Sequence, residues 1–240
     1  NYIWCATENG IIRYDKRDGE IKRYTTNDGL SSNVICSLAI DNNGVKWFGT
    51  DGDGMSLDGV NWESYFQNFM QGNLVLSVVV DKDNYKYFIF AHGVYRFDGN
   101  TWELFNVNYP RRLFVDTNDN IWVMFESDYI LFHNNTGFKE IFPPTRNEFM
   151  SITEDKNKII WIGCDEGLLS FDGTSWTTYY RDKGVDIDYV TSIAVDKYNI
   201  KWLASYWGLW SFDGKVFKYH TEYPDRPSLK DIKIDDDGVI

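Results

Sequence analysis

The sequence predicts an all-β fold assembled from six copies of one four-stranded unit, and three observations predict it. A Trp or Tyr follows a short Asp/Asn turn six times, at Trp4, Trp47, Tyr87, Trp122, Trp161 and Trp202, with spacings of 43, 40, 35, 39 and 41 residues. Around that ring the units keep two more markers. An Asp closes an apolar run at Asp41, Asp81, Asp116, Asp155, Asp196 and Asp235, and a trailing aromatic stands at Tyr24, Tyr65, Phe105, Phe142, Tyr179 and Tyr219. Finally, the hairpin FDGNTW at 97–102 returns as FDGTSW at 171–176 and as FDGKVF at 212–217. Self-similarity at a period near 40 residues is the mark of a repeat architecture.

One unit shows how each element arises. VTSIAVD (190–196), IKWLAS (200–205), GLWSFD (208–213) and VFKYH (216–220) are short β-branched and aromatic runs separated by Gly, Asn and Asp. That punctuation reads as hairpins, and no helical period occurs. Four antiparallel strands in about 40 residues make one blade of a β-propeller. The first strand ends at the Asp. The second carries the large ring, expected to fill the wedge between neighbouring blades. The third opens on Gly10, Gly54, Gly93, Gly167 and Gly208 in five units. In the fourth unit Asp128 takes that place and Phe132-His133-Asn134 replaces the FDG turn, so this unit diverges. Asp-Gly then turns the chain tightly into the fourth strand, which starts at the aromatic three residues on. Leu57-Asp58-Gly59 to Trp62 and Gly214 to Phe217 keep the same spacing. The hairpin is a bend and not a catalytic motif.

The chain begins in a second strand, Tyr2-Ile3-Trp4, and ends just after a first strand, Leu229 to Asp235. The expectation is one domain over 1–240, its last blade completed by residues 229–235 with residues 1–24. Six four-stranded blades then form a closed ring, or a six-repeat fragment of a longer array.

A net charge of −12 argues against nucleic acid or an anionic membrane as partner, since both demand a cationic face. No run of 18 apolar residues spans a bilayer in this segment. Three cysteines, Cys5, Cys36 and Cys164, lack metal or redox spacing and read as small core residues. His92, His133 and His220 fall in different units and match no zinc motif. The acidic turns Asp116 to Asn120 and Asp235-Asp236-Asp237-Gly238 lack the glycine and glutamate of an EF-hand loop. Gly-x-Ser-x-Gly, Walker and dinucleotide fingerprints are absent, so neither cofactor nor metal nor catalytic residue is expected.

Trp161-Ile162-Gly163 with Gly167-Leu168, and Trp47-Phe48-Gly49-Thr50, resemble the W-x-G-T-x-x-G-L signature of two-component-regulator propeller repeats. The Asp-x-x-Gly/Asn turn before the ring and the trailing aromatic strand extend the likeness over the whole chain, most weakly in the fourth unit. The resemblance implies a periplasmic sensor propeller of the kind found in bacterial hybrid histidine kinases, often recognising glycan fragments. Similar repeats also occur in secreted or surface proteins without a kinase. The shared motif residues are structural and imply no binding residue.

Function is expected where the scaffold varies. The inter-blade loops and those between second and third strands should share one face. That face would carry Asp51-Gly52-Asp53, His92, Glu126-Ser127-Asp128, Asp165-Glu166 and Tyr206-Trp207. The inter-blade loops add Tyr109-Pro110-Arg111-Arg112, Arg181-Asp182-Lys183 and Arg226. Arg111 and Arg112 suit bidentate contact with a carboxylate or sulfate. Trp207, with Tyr206 beside it, offers a platform for a sugar ring. The ligand-binding candidates are therefore Arg111, Arg112, Tyr206, Trp207, Tyr109 and His92. The expected function is non-enzymatic, extracytoplasmic recognition of a small molecule or oligosaccharide; the alternative is a protein-interaction or surface-assembly module with a protein partner, and a polysaccharide lyase or hydrolase is a weaker one.

Overall fold

The computed structural model describes residues 2–66, 74–90, 92–107, 109–125, 129–134, 137–180, 187–220, 228–234 and 238. Among them the strands follow the expected punctuation. The first sheet holds β1 (Tyr2–Thr7), β2 (Gly10–Asp15) and β3 (Ile21–Tyr24). The second holds β4 (Ile35–Ile40), β5 (Lys46–Thr50), β6 (Gly54–Leu57) and β7 (Trp62–Ser64). The third comprises β8 (Ser77–Val80), β9 (Lys86–Phe90), β10 (Gly93–Phe97) and β11 (Trp102–Phe105). In the fourth lie β12 (Arg112–Val115), β13 (Ile121–Met124), β14 (Ile130–Asn134) and β15 (Gly137–Ile141). β16 (Phe149–Glu154), β17 (Ile160–Cys164), β18 (Gly167–Phe171) and β19 (Trp176–Tyr180) form the fifth. The sixth is β20 (Val190–Val195), β21 (Lys201–Ser205), β22 (Gly208–Phe212) and β23 (Phe217–Tyr219). Every sheet is an antiparallel meander in chain order, the blade of a β-propeller. The chain divides into two compact units, Asn1–Val115 and Asp116–Ile240.

The turns are closed as the residues dictate. Each FDG hairpin puts its Gly at positive φ, from 96° to 117° at Gly59, Gly99, Gly173 and Gly214. Its Asp carboxylate caps the turn, as where Asp98 accepts the Asn100 and Thr101 amides at 2.7 and 2.6 Å. Those two amides and the Thr101 hydroxyl hold the Asp98 carboxyl down to about 2.

The Asp before each second strand does more than close a turn. Asp41 Oδ1 accepts the Asn43 and Val45 amides, while its Oδ2 accepts the Trp47 indole N–H at 3.1 Å. The same indole bond recurs at Asp116–Trp122 (2.9 Å), Asp155–Trp161 (3.0 Å) and Asp196–Trp202 (3.2 Å), and Tyr87 donates its hydroxyl to Asp81. The ring therefore fills the inter-blade wedge with its one polar atom satisfied. Trp47 meets Phe97, and Trp161 meets Phe212, edge-on from the next blade.

At two of these junctions the next blade adds a lysine. Lys86 Nζ lies 3.2 Å from Asp41 and over the Trp47 ring; Lys201 Nζ lies 2.8 Å from Asp155 and over Trp161. Burial opposes ionisation of both acids, but the Trp, Lys and backbone donors outweigh it and hold both below the usual carboxylate range. At the junction of the fourth and fifth blades Ile160 stands at the register of Lys86 and Lys201, and Asn120 supplies a donor to Asp116 at 2.8 Å.

One expectation needs correction. Only Cys164 is a core cysteine; Cys5 and Cys36 are exposed. Cys5 lies on β1, which no first strand flanks among the described residues, and Cys36 sits at the register shift between Ile35 and Ser37 that turns its side chain out. In addition, the first sheet has three strands, and residues 228–234 form no assigned strand. They nevertheless lie beside β20. Leu229 N–H donates to Ser205, the Thr191 hydroxyl donates to the Leu229 carbonyl, and Ser192 donates to Asp231. Val75 N–H meets Thr50 in the same way where the third blade begins. Residues 235–237 lie outside the described residues.

Candidate functional site

Backbone bonds between loop tips fix the face on which the scaffold varies. In the second unit Asp165 N–H donates to Glu148, Tyr189 N–H to Asp165 at 2.9 Å, and Tyr206 N–H to Tyr189 at 3.2 Å. This ladder joins the loop before β16, the β17–β18 turn, the loop before β20 and the β21–β22 turn. It confirms that inter-blade loops and second-to-third-strand turns share one face within the unit.

The ladder sets three aromatic rings side by side. Tyr206 and Trp207 occupy the β21–β22 turn, whose backbone is fixed by the Ser205 hydroxyl. That hydroxyl donates to Gly208 O and accepts the Trp207 amide. Tyr206 meets Trp207 with centroids 5.1 Å apart and planes at 83°, and Tyr189 meets Tyr206 at 6.1 Å and 56°. All three are solvent-exposed, at 45% for Tyr189, 51% for Tyr206 and 38% for Trp207. Tyr219 anchors the patch by donating its hydroxyl to the Trp207 carbonyl at 3.1 Å.

Tyr189 was not singled out by the sequence, and its backbone explains its interest. Its φ is +51°, a left-handed conformation costly for a side chain with a Cβ. Asn84, Asp119, Lys158 and Asn199 adopt the same conformation at one repeated scaffold turn. Tyr189 and Tyr109 do so in inter-blade loops, and both expose their rings. The sequence signal was available as an aromatic next to the first residue of a first strand.

The other candidates belong to the first unit. His92 is exposed in the β9–β10 turn, Tyr109 precedes β12, and Arg111 and Arg112 are exposed at the start of that strand. The structure thus groups Tyr206 and Trp207 with Tyr189, and places His92, Tyr109, Arg111 and Arg112 in the other unit. Asp53 is buried and accepts the Phe66 amide at 2.9 Å and the Ser64 hydroxyl, a structural role. The candidates Glu126, Ser127, Asp128, Arg181, Asp182, Lys183 and Arg226 lie outside the described residues.

Around the rings the polar groups are mainly carboxylates. Asp165 Oδ1 accepts the Glu148 and Glu166 amides, both at 3.1 Å. Glu166 and Glu148 are exposed, and Asp188 directly precedes Tyr189. Beneath them the buried Cys164 donates to Gly167 O and accepts from Asn147, and burial pushes its thiol up to about 11. Among the described residues no group of three or more His, Cys, Asp or Glu is arranged to hold a metal ion. Nor is any described helix long and apolar enough to cross a membrane.

The fold defines the class, an all-β chain of six propeller blades, and the second unit carries an aromatic, acidic loop surface. No family model matches the chain, and neither does any curated protein. Solved structures do. A streptogramin B lyase superposes with a TM-score of 0.81 at 14% identity, over 99% of this chain and 85% of that one. PorZ of Porphyromonas gingivalis, a surface component of the type-IX secretion system, gives 0.69 at 16% identity over 95% of this chain and 41% of that one. The extracellular domain of a hybrid two component system from B. thetaiotaomicron gives 0.61 at 16%, over 99% of this chain and 42% of that one. At such identities the likeness is one of fold.

Proposed function

We propose that this protein is a non-enzymatic, extracytoplasmic recognition propeller of the sensor type, binding a saccharide on its loop face. The observation that carries the reading is the contact cluster of Tyr189, Tyr206 and Trp207. The second-strand rings Trp47, Trp122 and Trp161 fill inter-blade wedges, whereas these three are exposed and touch one another. Three adjoining rings held at the surface by a backbone ladder, one of them in left-handed backbone, serve something outside the chain. Aromatic faces cover the C–H face of a sugar ring, and neighbouring carboxylates accept its hydroxyls. The resemblance of the repeats to sensor propellers agrees with this use, and the fold likeness to an extracellular sensor domain and a surface component supports an extracytoplasmic setting. The likeness to a lyase is one of fold and brings no activity with it.

The test is a calorimetric and thermal-shift screen of neutral, acidic and basic oligosaccharides, repeated on Trp207→Ala and on Arg111→Ala/Arg112→Ala. Loss of binding in folded Trp207→Ala supports the aromatic surface. Loss only in the arginine pair moves the site to the first unit. A screen without any hit overturns the saccharide reading in favour of protein docking.

A further inference from the structure

We infer that the aromatic patch of the second unit selects a saccharide carrying a free ammonium group, an amino sugar, over neutral or acidic ones. The inference rests on the saccharide reading and adds the charge of the ligand. It differs from the anionic ligand that Arg111 and Arg112 suggest, because it is argued from the second unit's own residues.

Two independent features carry it. The first is ring geometry. A flat sugar needs a single exposed ring face, whereas here adjacent rings are inclined by 83° and 56°. An edge-to-face contact leaves an open ring face beside the rim of its neighbour, and that face attracts a compact cation placed within about 6 Å of its centroid. A pyranose stacked on one ring of such a pair directs a ring substituent toward the other. This fold already uses the same chemistry internally. Lys86 lies 5.0 Å over Trp47 beside Asp41, and Lys201 lies 4.6 Å over Trp161 beside Asp155.

The second feature is charge. The described loop segments at this patch carry Glu148, Asp165, Glu166 and Asp188, with Arg146 and Lys230 as their basic residues. Two of the acids are tied to the Tyr189 backbone. Tyr189 N–H is bonded to the Asp165 carbonyl, and Asp188 adjoins Tyr189 in the chain. Asp165 is oriented by two backbone amides on Oδ1, a carboxylate fixed at low entropic cost. An ammonium gains from both the rings and the carboxylates, a neutral hydroxyl gains less, and an acidic sugar is repelled.

The experiment compares titration of the whole chain by glucosamine oligomers with their fully N-acetylated counterparts, in mildly acidic buffer where the free amine is charged. A lysine-bearing peptide and a uronic-acid oligosaccharide are the other two probes. The expected result is at least tenfold tighter binding of the free-amine oligomer, weakening with added salt as screening predicts. Glu166→Gln, an exposed change that leaves the fold intact, and Asp165→Asn, which keeps an acceptor for both amides, should each erase most of that preference. Both should leave N-acetylated oligomers unaffected. Equal affinity for free and acetylated oligomers overturns the amino-sugar inference and leaves the saccharide reading standing. Tightest binding of the uronic-acid oligosaccharide does the same. Binding of the peptide with no oligosaccharide bound, or no binding at all, overturns both.

Discussion

Replacing Lys201 by Ile removes the cation from a junction at which it is almost fully buried, and the cost can be worked from the geometry. The Lys201 side chain is 4% exposed, that of Asp155 is 0% exposed, and their charges meet at 2.8 Å. At an effective dielectric of about 20 that separation corresponds to roughly 6 kcal/mol of attraction, partly cancelled by the desolvation of both groups. Without the lysine, Asp155 keeps donors from Trp161, Asn199, Asn157 and Ile159 but loses its counter-charge. Breaking such a pair from one side costs about 3–5 kcal/mol. The neighbouring junction supplies a control, since Asp116 is served there by Asn120 in place of a lysine. Asn120 lies four residues after Asp116, and Ile159 lies four after Asp155. Adding Ile159→Asn to Lys201→Ile should therefore recover about 1–2 kcal/mol, the worth of a hydrogen bond to a charged group less some lost packing. The assay is urea unfolding followed by Trp fluorescence, with slopes compared to confirm that the same surface unfolds. A loss below about 1 kcal/mol for Lys201→Ile alone would refute the idea that these lysines neutralise buried acids.

Three further outcomes are expected. Gly167→Ala should destabilise the fifth sheet severely, because φ is +137° and an added Cβ would stand 2.5 Å from the Tyr179 carbonyl oxygen; a parent-like melting temperature would contradict the close strand approach. Asp41, Asp98 and Asp155 are held below their ordinary values in the fold, so their stabilisation is complete above about pH 4 and is lost as pH falls through those depressed values. Unfolding free energy measured from neutral pH to about pH 2 should accordingly stay level and then drop, and a monotonic rise on acidification would exclude this linkage. If residues 229–235 complete the first blade, as the repeat phase proposes, deleting 228–240 should abolish a single cooperative transition in calorimetry, whereas unchanged melting would refute that proposal.

The fold was legible because its signals are local and repeated. Five third strands begin at the glycines that the spacing picked out, and the FDG turns close through Asp as the residue types require. The Asp–Trp bond was present as a constant interval of six residues, at 41 and 47, 116 and 122, 155 and 161, and 196 and 202. The sequence marks that Asp only as the end of the first strand, because a side-chain bond across a hairpin leaves no mark on hydrophobic period. Lys86 and Lys201 were invisible for a related reason. Their partners lie about 45 residues away, and position within a repeat says nothing about which neighbour a long side chain reaches. At the candidate site, Tyr206 and Trp207 were found by their departure from the repeat. Tyr189 escaped because loop length hides register, and only the ladder of loop-tip bonds shows that it meets them.

The cross-blade ties within each unit have a consequence for how such a chain changes over time. Asn42 reaches Asn84 and Lys82, Ser37 reaches Val78, Thr117 reaches Glu154, Ser151 reaches Val190, and Lys156 reaches Asn199 and Lys197. Each tie runs from one blade to the next and no further. Stability of this kind is a sum of nearest-neighbour terms, so duplicating or deleting one blade alters only the junctions at its borders and leaves the others as they were. Recombination between the near-identical stretches around FDGNTW and FDGTSW would thus change blade number without passing through a broken core. Loop side chains are freer to diverge after each such event, because the ties between loop tips run through the backbone.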